Sequence, residues 1–169
     1  RTKQLPQAYA AYEEYVSIMR QAENFTAVGD GLNKMGNVVR DSNDIKSAID
    51  LYKEAISLAK EQSDLAAEAW ATSNMSIAYN VSGKQWQASR QADRALKLAI
   101  RSGDLPAVAR TNYRQALVNY RQEKPDKALP YAQEARKLYE RLKDPDMLEK
   151  TDRLLVAIEK RRKKTGIFS

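Results

Sequence analysis

The fold is decided by a stretch that the chain repeats, 45-IKSAIDLYKEAISLAKEQSD-64, which returns as 85-QWQASRQADRALKLAIRSGD-104 and as 125-PDKALPYAQEARKLYERLKD-144. Aligned residues recur at steps of forty: Ala48, Ala88 and Ala128; Ala55, Ala95 and Ala135; Leu58, Leu98 and Leu138; and Asp64, Asp104 and Asp144, with Asn24 one step before Asp64. Four columns at one interval rarely arise by chance. The chain is therefore built from structural units of about forty residues.

Each unit has the apolar periodicity of helices. The first stretch places apolar residues three and four positions apart: Ile45, Ala48, Ile49, Tyr52, Ala55, Ile56 and Ala59. The segments 65–81 and 105–120 have the same spacing, which gives one apolar stripe per helix. We predict eight helices over about 5–22, 25–40, 44–61, 65–81, 85–101, 105–121, 126–142 and 146–164. Their short connections favour antiparallel neighbours, so the expected fold is all-α, a solenoid of helical hairpins.

We assign the whole chain, 1–169, to a single domain. Segment 5–22 is interpreted as the second helix of a preceding unit. The repeat units cover about 25–61, 65–101 and 105–142, and segment 146–164 is a capping helix. Since the chain starts at Arg1 rather than Met, we interpret it as a piece of a longer protein. We expect Asp64 and Asp104 to be helix N-caps, because their carboxylates can accept from unpaired backbone N–H groups.

The composition excludes most enzyme classes. The chain has no Cys and no His, so it lacks the usual thiol nucleophile, general base and soft metal ligands. Its 6 Gly residues form no phosphate-binding loop. The mean hydropathy of −0.68 and the lack of a long apolar run argue against a membrane span. We therefore expect no catalysis, cofactor or metal, and take a soluble, cytoplasmic location as the default.

The positive charge is confined to the end of the chain. Residues 1–100 hold 12 basic and 12 acidic side chains, whereas residues 101–169 hold 17 basic and 10 acidic ones, which accounts for the net charge of +7. Five of these charges form the run Lys160, Arg161, Arg162, Lys163 and Lys164. A basic end on a neutral body favours a local acidic partner over a general affinity for nucleic acid.

The pattern of small and large residues resembles the tetratricopeptide repeat family, in a variety with forty residues per unit. Its signature has a small residue and then a large one on the first helix, followed by Ala, an aromatic residue and Ala on the second. The matching positions are Gly36, Val39, Ala48, Tyr52 and Ala55; Ser76, Tyr79, Ala88, Ala92 and Ala95; and Ala116, Asn119, Ala128, Ala132 and Ala135. Asn119 replaces the expected large residue. The resemblance implies a right-handed superhelix whose first helices line a concave groove.

The resemblance implies which positions of the chain face the groove, and the residues at these positions are the candidate binding residues. These candidates are Asn33, Lys34, Asn37, Trp70, Asn74, Ile77, Arg110, Tyr113, Arg114, Leu117, Arg121 and Arg153. Asn can pair with the backbone of an extended peptide. Arg110 and Arg114 lie one helical turn apart and together can hold a carboxylate. The sequence therefore favours a module that binds an extended, acidic peptide or protein tail.

Part of this set also resembles the carboxylate-clamp subgroup of the family, which holds the acidic C-terminal residue of a partner. Asn37, Asn74, Arg110 and Arg114 stand at matching places. The first Lys of the clamp is missing, because Asn33 occupies its position with Lys34 beside it.

Other functions remain open from the sequence. A structural or self-assembly role, with homo-oligomers formed through the uncovered helix 5–22, is the main alternative. Nucleic-acid binding is disfavoured because the first hundred residues carry no net charge. The groove side chains also have a plain structural interpretation, in which Trp70 and Tyr113 pack between helices and the charged residues are solvated.

Overall fold

The structure is a computed structural model that describes residues 4–166. These residues form eight helices: α1 (Gln4–Gln21), α2 (Phe25–Asp41), α3 (Ile45–Glu61), α4 (Leu65–Val81), α5 (Gln85–Ser102), α6 (Leu105–Arg121), α7 (Pro125–Leu142) and α8 (Pro145–Gly166). The prediction of an all-α solenoid with eight helices is confirmed, and the helix ends agree with the expected ones to within two residues.

The turns between the helices share one backbone geometry. Within residues 4–166, a residue with positive φ occurs in all seven connections and recurs every twenty positions: Glu23, Asn43, Ser63, Gly83, Gly103, Glu123 and Lys143. Only glycine adopts this left-handed conformation freely, and asparagine tolerates it better than most residues. The repeat of forty residues therefore consists of two helix–turn segments of twenty. In four of the seven turns the residue with positive φ is neither glycine nor asparagine, so it adopts a conformation that its residue type disfavours.

The residue before each helix completes the turn. Asp64 accepts from the backbone N–H of Ala67 at 2.9 Å, and Asp104 accepts from that of Ala107 at 2.7 Å. The expected N-caps are thus confirmed. Helices α5 and α7 instead follow Lys84 and Lys124, and neither lysine makes a capping bond through its side chain.

The helices form an inner and an outer layer. Successive helices pack as antiparallel hairpins, and α2, α4, α6 and α8 also contact one another in that order. The second helices α1, α3, α5 and α7 make no such contacts with one another in the described chain. The inner helices therefore line the concave side, and clefts separate the second helices on the convex side.

The layers approach closely where one partner is small. The ring of Tyr52 on α3 lies over Gly36 on α2, and an added Cβ at Gly36 would stand 2.5 Å from the ring carbon Cε1. The equivalent pairs in the later units are Ser76 with Ala92 and Ala116 with Ala132, and all four residues are buried. Small residues at these places allow the short distance between helices.

One end of the stack exposes some apolar side chains. Helix α1 leaves Tyr15 and Ile18 exposed, and Phe25 at the start of α2 is exposed as well. Association through this face stays a prediction. Across residues 4–166, every helix is too short or too polar to serve as a membrane span.

Candidate binding groove

A cavity of about 660 Å³ opens on the concave side between α6 and α8. Helix α6 packs broadly on α7 but touches α8 only slightly, so the two inner helices diverge above the end of α7. The lining residues come from α6, α7 and the start of α8: Pro106, Arg110, Tyr113, Arg114, Leu117, Tyr139, Leu142, Asp144, Met147 and Lys150.

The cavity has an apolar floor and cationic walls. Arg110, Arg114 and Lys150 contribute positive charge, and Asp144 is the one acid among the lining residues. The Asp144 carboxylate already accepts from the backbone N–H of Met147 at 3.0 Å, as the cap of α8. Within residues 4–166, none of the three cations forms an ion pair with a carboxylate. The groove thus presents positive charge without an internal counter-ion.

Arg110 is held in place by an aromatic ring. Its guanidinium lies over the Trp70 ring of α4, 4.9 Å from the ring centroid, in a cation–π contact. Its buried Nε has no hydrogen-bond partner among the described residues. Trp70 therefore orients the guanidinium while leaving donors of Arg110 available to a ligand.

Arg114 stands in a poorly solvated position. Burial lowers the pKa of its guanidinium, and the nearby positive charge of Arg40 lowers it further. Both causes disfavour the cationic form, whereas an incoming carboxylate would favour it. Arg40 itself is paired with Asp41 at 2.8 Å. Of these two arginines, Arg114 is the one that lacks an anionic partner.

Burial also affects an acid within the electrostatic reach of Arg110. Desolvation raises the pKa of Asp30 on α2, and the positive charges of Lys34 and Arg110 lower it in part. Asp30 therefore faces the same field as a ligand carboxylate, but it is not within ion-pair distance of either cation in the described chain.

Two tyrosines beneath the groove should limit stability at alkaline pH. Desolvation raises the pKa values of Tyr52 and Tyr139 to about 12 from 10.0. The folded state then holds the phenol protons more tightly than the unfolded state, so their contribution is complete below pH 10 and is lost as the pH rises toward 12. We expect a loss of about 1–2 kcal/mol per tyrosine. Urea unfolding of wild type and of Tyr52→Phe/Tyr139→Phe between pH 9 and pH 12, values chosen to bracket this range, measures it. An equal loss in both proteins would contradict the assignment.

Four of the predicted binding residues line the cavity together: Arg110, Tyr113, Arg114 and Leu117. Trp70 adjoins them through Arg110. Four more lie outside the cavity. Lys34 is exposed, with its ammonium 5.7 Å from the centroid of the Tyr12 ring. Arg121 is exposed near the end of α6, and Arg153 is exposed and paired with Glu149. Asn37 is partly buried, and its carboxamide oxygen accepts from Tyr52 at 2.9 Å and from Arg40 at 2.8 Å.

Three predicted groove residues are corrected by the structure. Asn33, Asn74 and Ile77 are buried between helices. The Nδ2 of Asn74 donates to the Oδ1 of Asn33 at 3.2 Å, which joins α4 to α2. Because the inner helices contact one another, these positions face a neighbouring helix instead of the groove. A peptide therefore cannot reach Asn74, and the clamp-like pattern is reduced to Arg110 and Arg114.

Helix α7 supplies part of the wall that was not predicted from the sequence. Tyr139 and Leu142 form the floor of the cavity, although only first helices were expected to line the groove. The signal was present in the repeat, since Tyr139 replaces the small Ala99 of the preceding unit. Lys150 also lines the cavity, although it is not among the predicted binding residues.

Comparison with solved structures supports the fold. BtubC (BKLC) from P. vanneervenii has a TM-score of 0.70 at 19% identity, over 92% of this chain and 74% of that chain. The apo form of RapI has a TM-score of 0.70 at 18% sequence identity, over 89% of this chain and 55% of that chain. A Podosopora anserina putative kinesin light chain with nearly identical TPR-like repeats has a TM-score of 0.66 at 9% sequence identity. The match covers 96% of this chain and 81% of that chain.

Comparison of the sequence with protein-family models and with curated protein sequences finds no match. The chain spans about half the length of RapI. At these identities the likeness concerns architecture alone. The chain is thus similar in fold to solenoids of TPR-like repeats, as the repeat of forty residues predicts.

Proposed function

We propose that the chain is a non-catalytic binding module that holds an extended, acidic peptide or protein tail in its concave groove. The observation that carries this proposal is the absence, within residues 4–166, of an ion pair to any of the three cations around the cavity. Arg110 and Arg114 are partly buried, and partly buried cations without counter-ions are costly in the free protein. A ligand carboxylate would offset that cost.

The apolar floor adds a second requirement for the ligand. Tyr113, Leu117, Tyr139, Leu142 and Met147 surround the space beneath the cations. An apolar or aromatic side chain next to the acidic residue would bury surface there, at roughly 25 cal/mol per Å². The favoured peptide therefore combines an acidic residue with a neighbouring large apolar one.

The expected affinity is modest. Each charge-assisted hydrogen bond contributes about 1.5–3 kcal/mol, and ordering a flexible peptide costs about 2–5 kcal/mol. A dissociation constant in the micromolar range, about −8 kcal/mol, follows. The groove is open to solvent, so salt screens the attraction over a Debye length of about 8 Å at physiological ionic strength.

Binding should depend on ligand charge and on salt. The probe is a fluorescent peptide of alternating Glu and Phe, compared with its Gln–Phe counterpart of equal length. We expect micromolar binding of the acidic peptide, at least tenfold weaker binding of the neutral one, and a loss of affinity as NaCl is raised from about 0.05 to 0.5 M. Fluorescence anisotropy measures each case. Equal affinities for the two peptides would refute the proposal.

A further inference from the structure

A second cavity lies on the convex side, between α5 and α7 above α6. Its volume is about 640 Å³. The lining residues are Ser89, Asp93, Gln115, Asn119, Lys124, Asp126, Lys127, Pro130 and Tyr131. We call this space the polar cleft. It shares no residue with the concave groove, so the proposed peptide site does not account for it.

The polar cleft differs from the equivalent clefts of the other two units. Three positions, spaced by forty residues, form the same part of each convex cleft. They are Tyr9, Met35 and Val39 in the first unit, Ile49, Met75 and Tyr79 in the second, and Ser89, Gln115 and Asn119 in the third. The first two sets belong to one continuous apolar core. The third unit therefore has polar side chains at core positions where the others have apolar ones.

Ser89 donates to Oε1 of Gln122 at 3.2 Å and Asn119 donates to the backbone oxygen of Gln115 at 2.9 Å, whereas Gln115 is only partly satisfied. Gln115 is 4% exposed, and the structure gives its Oε1 no hydrogen-bond partner in the described chain. Its Nε2 donates to Oδ1 of Asp93 at 2.6 Å. An unpaired buried amide oxygen destabilises a core. At these three equivalent positions the first two units are apolar and the third bears this cost, which points to a role in binding.

The two ends of the polar cleft carry opposite charges. On the α5 side, the Gln115 amide fixes the Asp93 carboxylate, which has no ion pair in the described part of the chain. On the α7 side stand Lys124 and Lys127. Lys124 donates to Oε1 of Gln122 at 2.9 Å, an acceptor without charge. Asp126, the other acid, is already paired with Arg162 at 2.6 Å.

The start of α7 strengthens the positive end. The helix begins at Pro125 without a capping bond from the side chain of Lys124, unlike α4 and α6, which have aspartate caps. An uncapped helix N-terminus attracts anions through its free N–H groups and its dipole. The α7 end of the polar cleft therefore suits a carboxylate, and the α5 end suits an ammonium group.

We propose that the polar cleft is a binding site for a zwitterionic ligand of amino-acid or dipeptide size. The ammonium group lies toward Asp93 and Gln115, and the carboxylate lies toward Lys124, Lys127 and the N-terminus of α7. Tyr131 and Pro130 contact the side chain of the ligand. The volume is within the usual range for small-molecule sites.

The test uses the whole chain and two sets of probes. The first set consists of the free L-amino acids and simple dipeptides, and the second of the same residues as N-acetyl amides, which carry neither terminal charge. Binding is followed by isothermal titration calorimetry and by shifts of the Gln115 and Asn119 side-chain amide signals in NMR spectra. We expect at least one zwitterion to bind and its capped counterpart to bind at least tenfold more weakly. No binding by any zwitterion, or equal binding by the capped probes, would overturn the proposal.

Three variants separate binding from folding. Asp93→Asn should weaken zwitterion binding at least tenfold, whereas Glu134→Gln, a matched change on the exposed part of α7, should leave it unchanged. The triple variant Ser89→Ile/Gln115→Met/Asn119→Tyr gives the third unit the residues of the second. It should abolish binding and raise the thermal midpoint by a few degrees, because apolar packing replaces polar groups at core positions, including the unpaired Oε1 of Gln115. A triple variant that is less stable than wild type would show that the polar residues support the fold, and would overturn the assignment.

Discussion

Replacing Gly36 by Ala should lower the free energy of unfolding by about 2–3 kcal/mol, although alanine is the better helix former. The new methyl group would stand 2.5 Å from Cε1 of Tyr52 and 2.9 Å from Cδ1. The ring is fully buried, so it cannot move aside without disturbing the core. Urea denaturation followed by circular dichroism measures the change.

Gly29 is the matched control for this variant. It lies on the same helix, and an added Cβ there meets nothing within 4 Å. Gly29→Ala should therefore stabilise the protein by up to about 1 kcal/mol, the usual preference for alanine within a helix. In a Tyr52→Ala background, Gly36→Ala should also cease to be destabilising, because the later units pair small residues at these positions. If Gly36→Ala remained costly in that background, the explanation through the Tyr52 ring would be wrong.

Removing the charge of Arg110 and Arg114 should lower the affinity for the acidic peptide about 100-fold or more. The estimate follows from two charge-assisted interactions of about 1.5–3 kcal/mol each. The double variant Arg110→Met/Arg114→Met keeps most of the apolar stems that line the cavity. Neither arginine forms an ion pair in residues 4–166, so the change should not weaken the fold by breaking one. Anisotropy titrations and far-ultraviolet circular dichroism measure the two effects.

The control for this variant removes the same net charge elsewhere. Arg121 and Arg153 are exposed and lie outside the cavity. Arg121→Met/Arg153→Met should weaken binding by no more than about threefold, as expected for distant charges that salt screens. A similar loss in both double variants would mean that overall charge, and no particular groove, attracts the peptide.

The repeat in the sequence was sufficient to predict the architecture. Alanines forty residues apart fall at the contacts between helices, where a larger side chain would hold the helices apart, so the spacing of these residues reflects the spacing of the units. The twenty-residue period of the turns was not predicted. It is a property of the backbone, and the residues that adopt positive φ include Glu23 and Lys143, whose identities give no signal for it.

The candidate groove was predicted only in part because helical periodicity gives the direction of a side chain but not what lies there. Arg110 and Arg114 line a cavity because α6 and α8 diverge. Asn74 occupies the position one unit before Arg114, yet α4 lies against α2, and Asn74 is buried in a hydrogen bond to Asn33. The difference between the two positions depends on the distance between neighbouring inner helices, which the repeat does not specify.

The polar cleft shows a different limit. Asn119 was recognised as a departure from the repeat, but one substitution has no meaning until its neighbours in space are known. Its partners Ser89 and Gln115 come from two helices, and each alone is an ordinary residue for an α-helix. Only the packing of α5, α6 and α7 brings the three together around one cavity.

The central claim is that a carboxylate binds beside Arg114 on the concave side. The most direct test is an NMR titration of the chain with the Glu–Phe peptide, observing backbone amides and arginine Nε–H signals. We predict that the Nε–H signals of Arg110 and Arg114 shift together with the amides of α6 and the start of α8, while the signals of α3 and α5 on the convex side stay in place. Shifts confined to the convex helices, or binding without any change at Arg114, would contradict it.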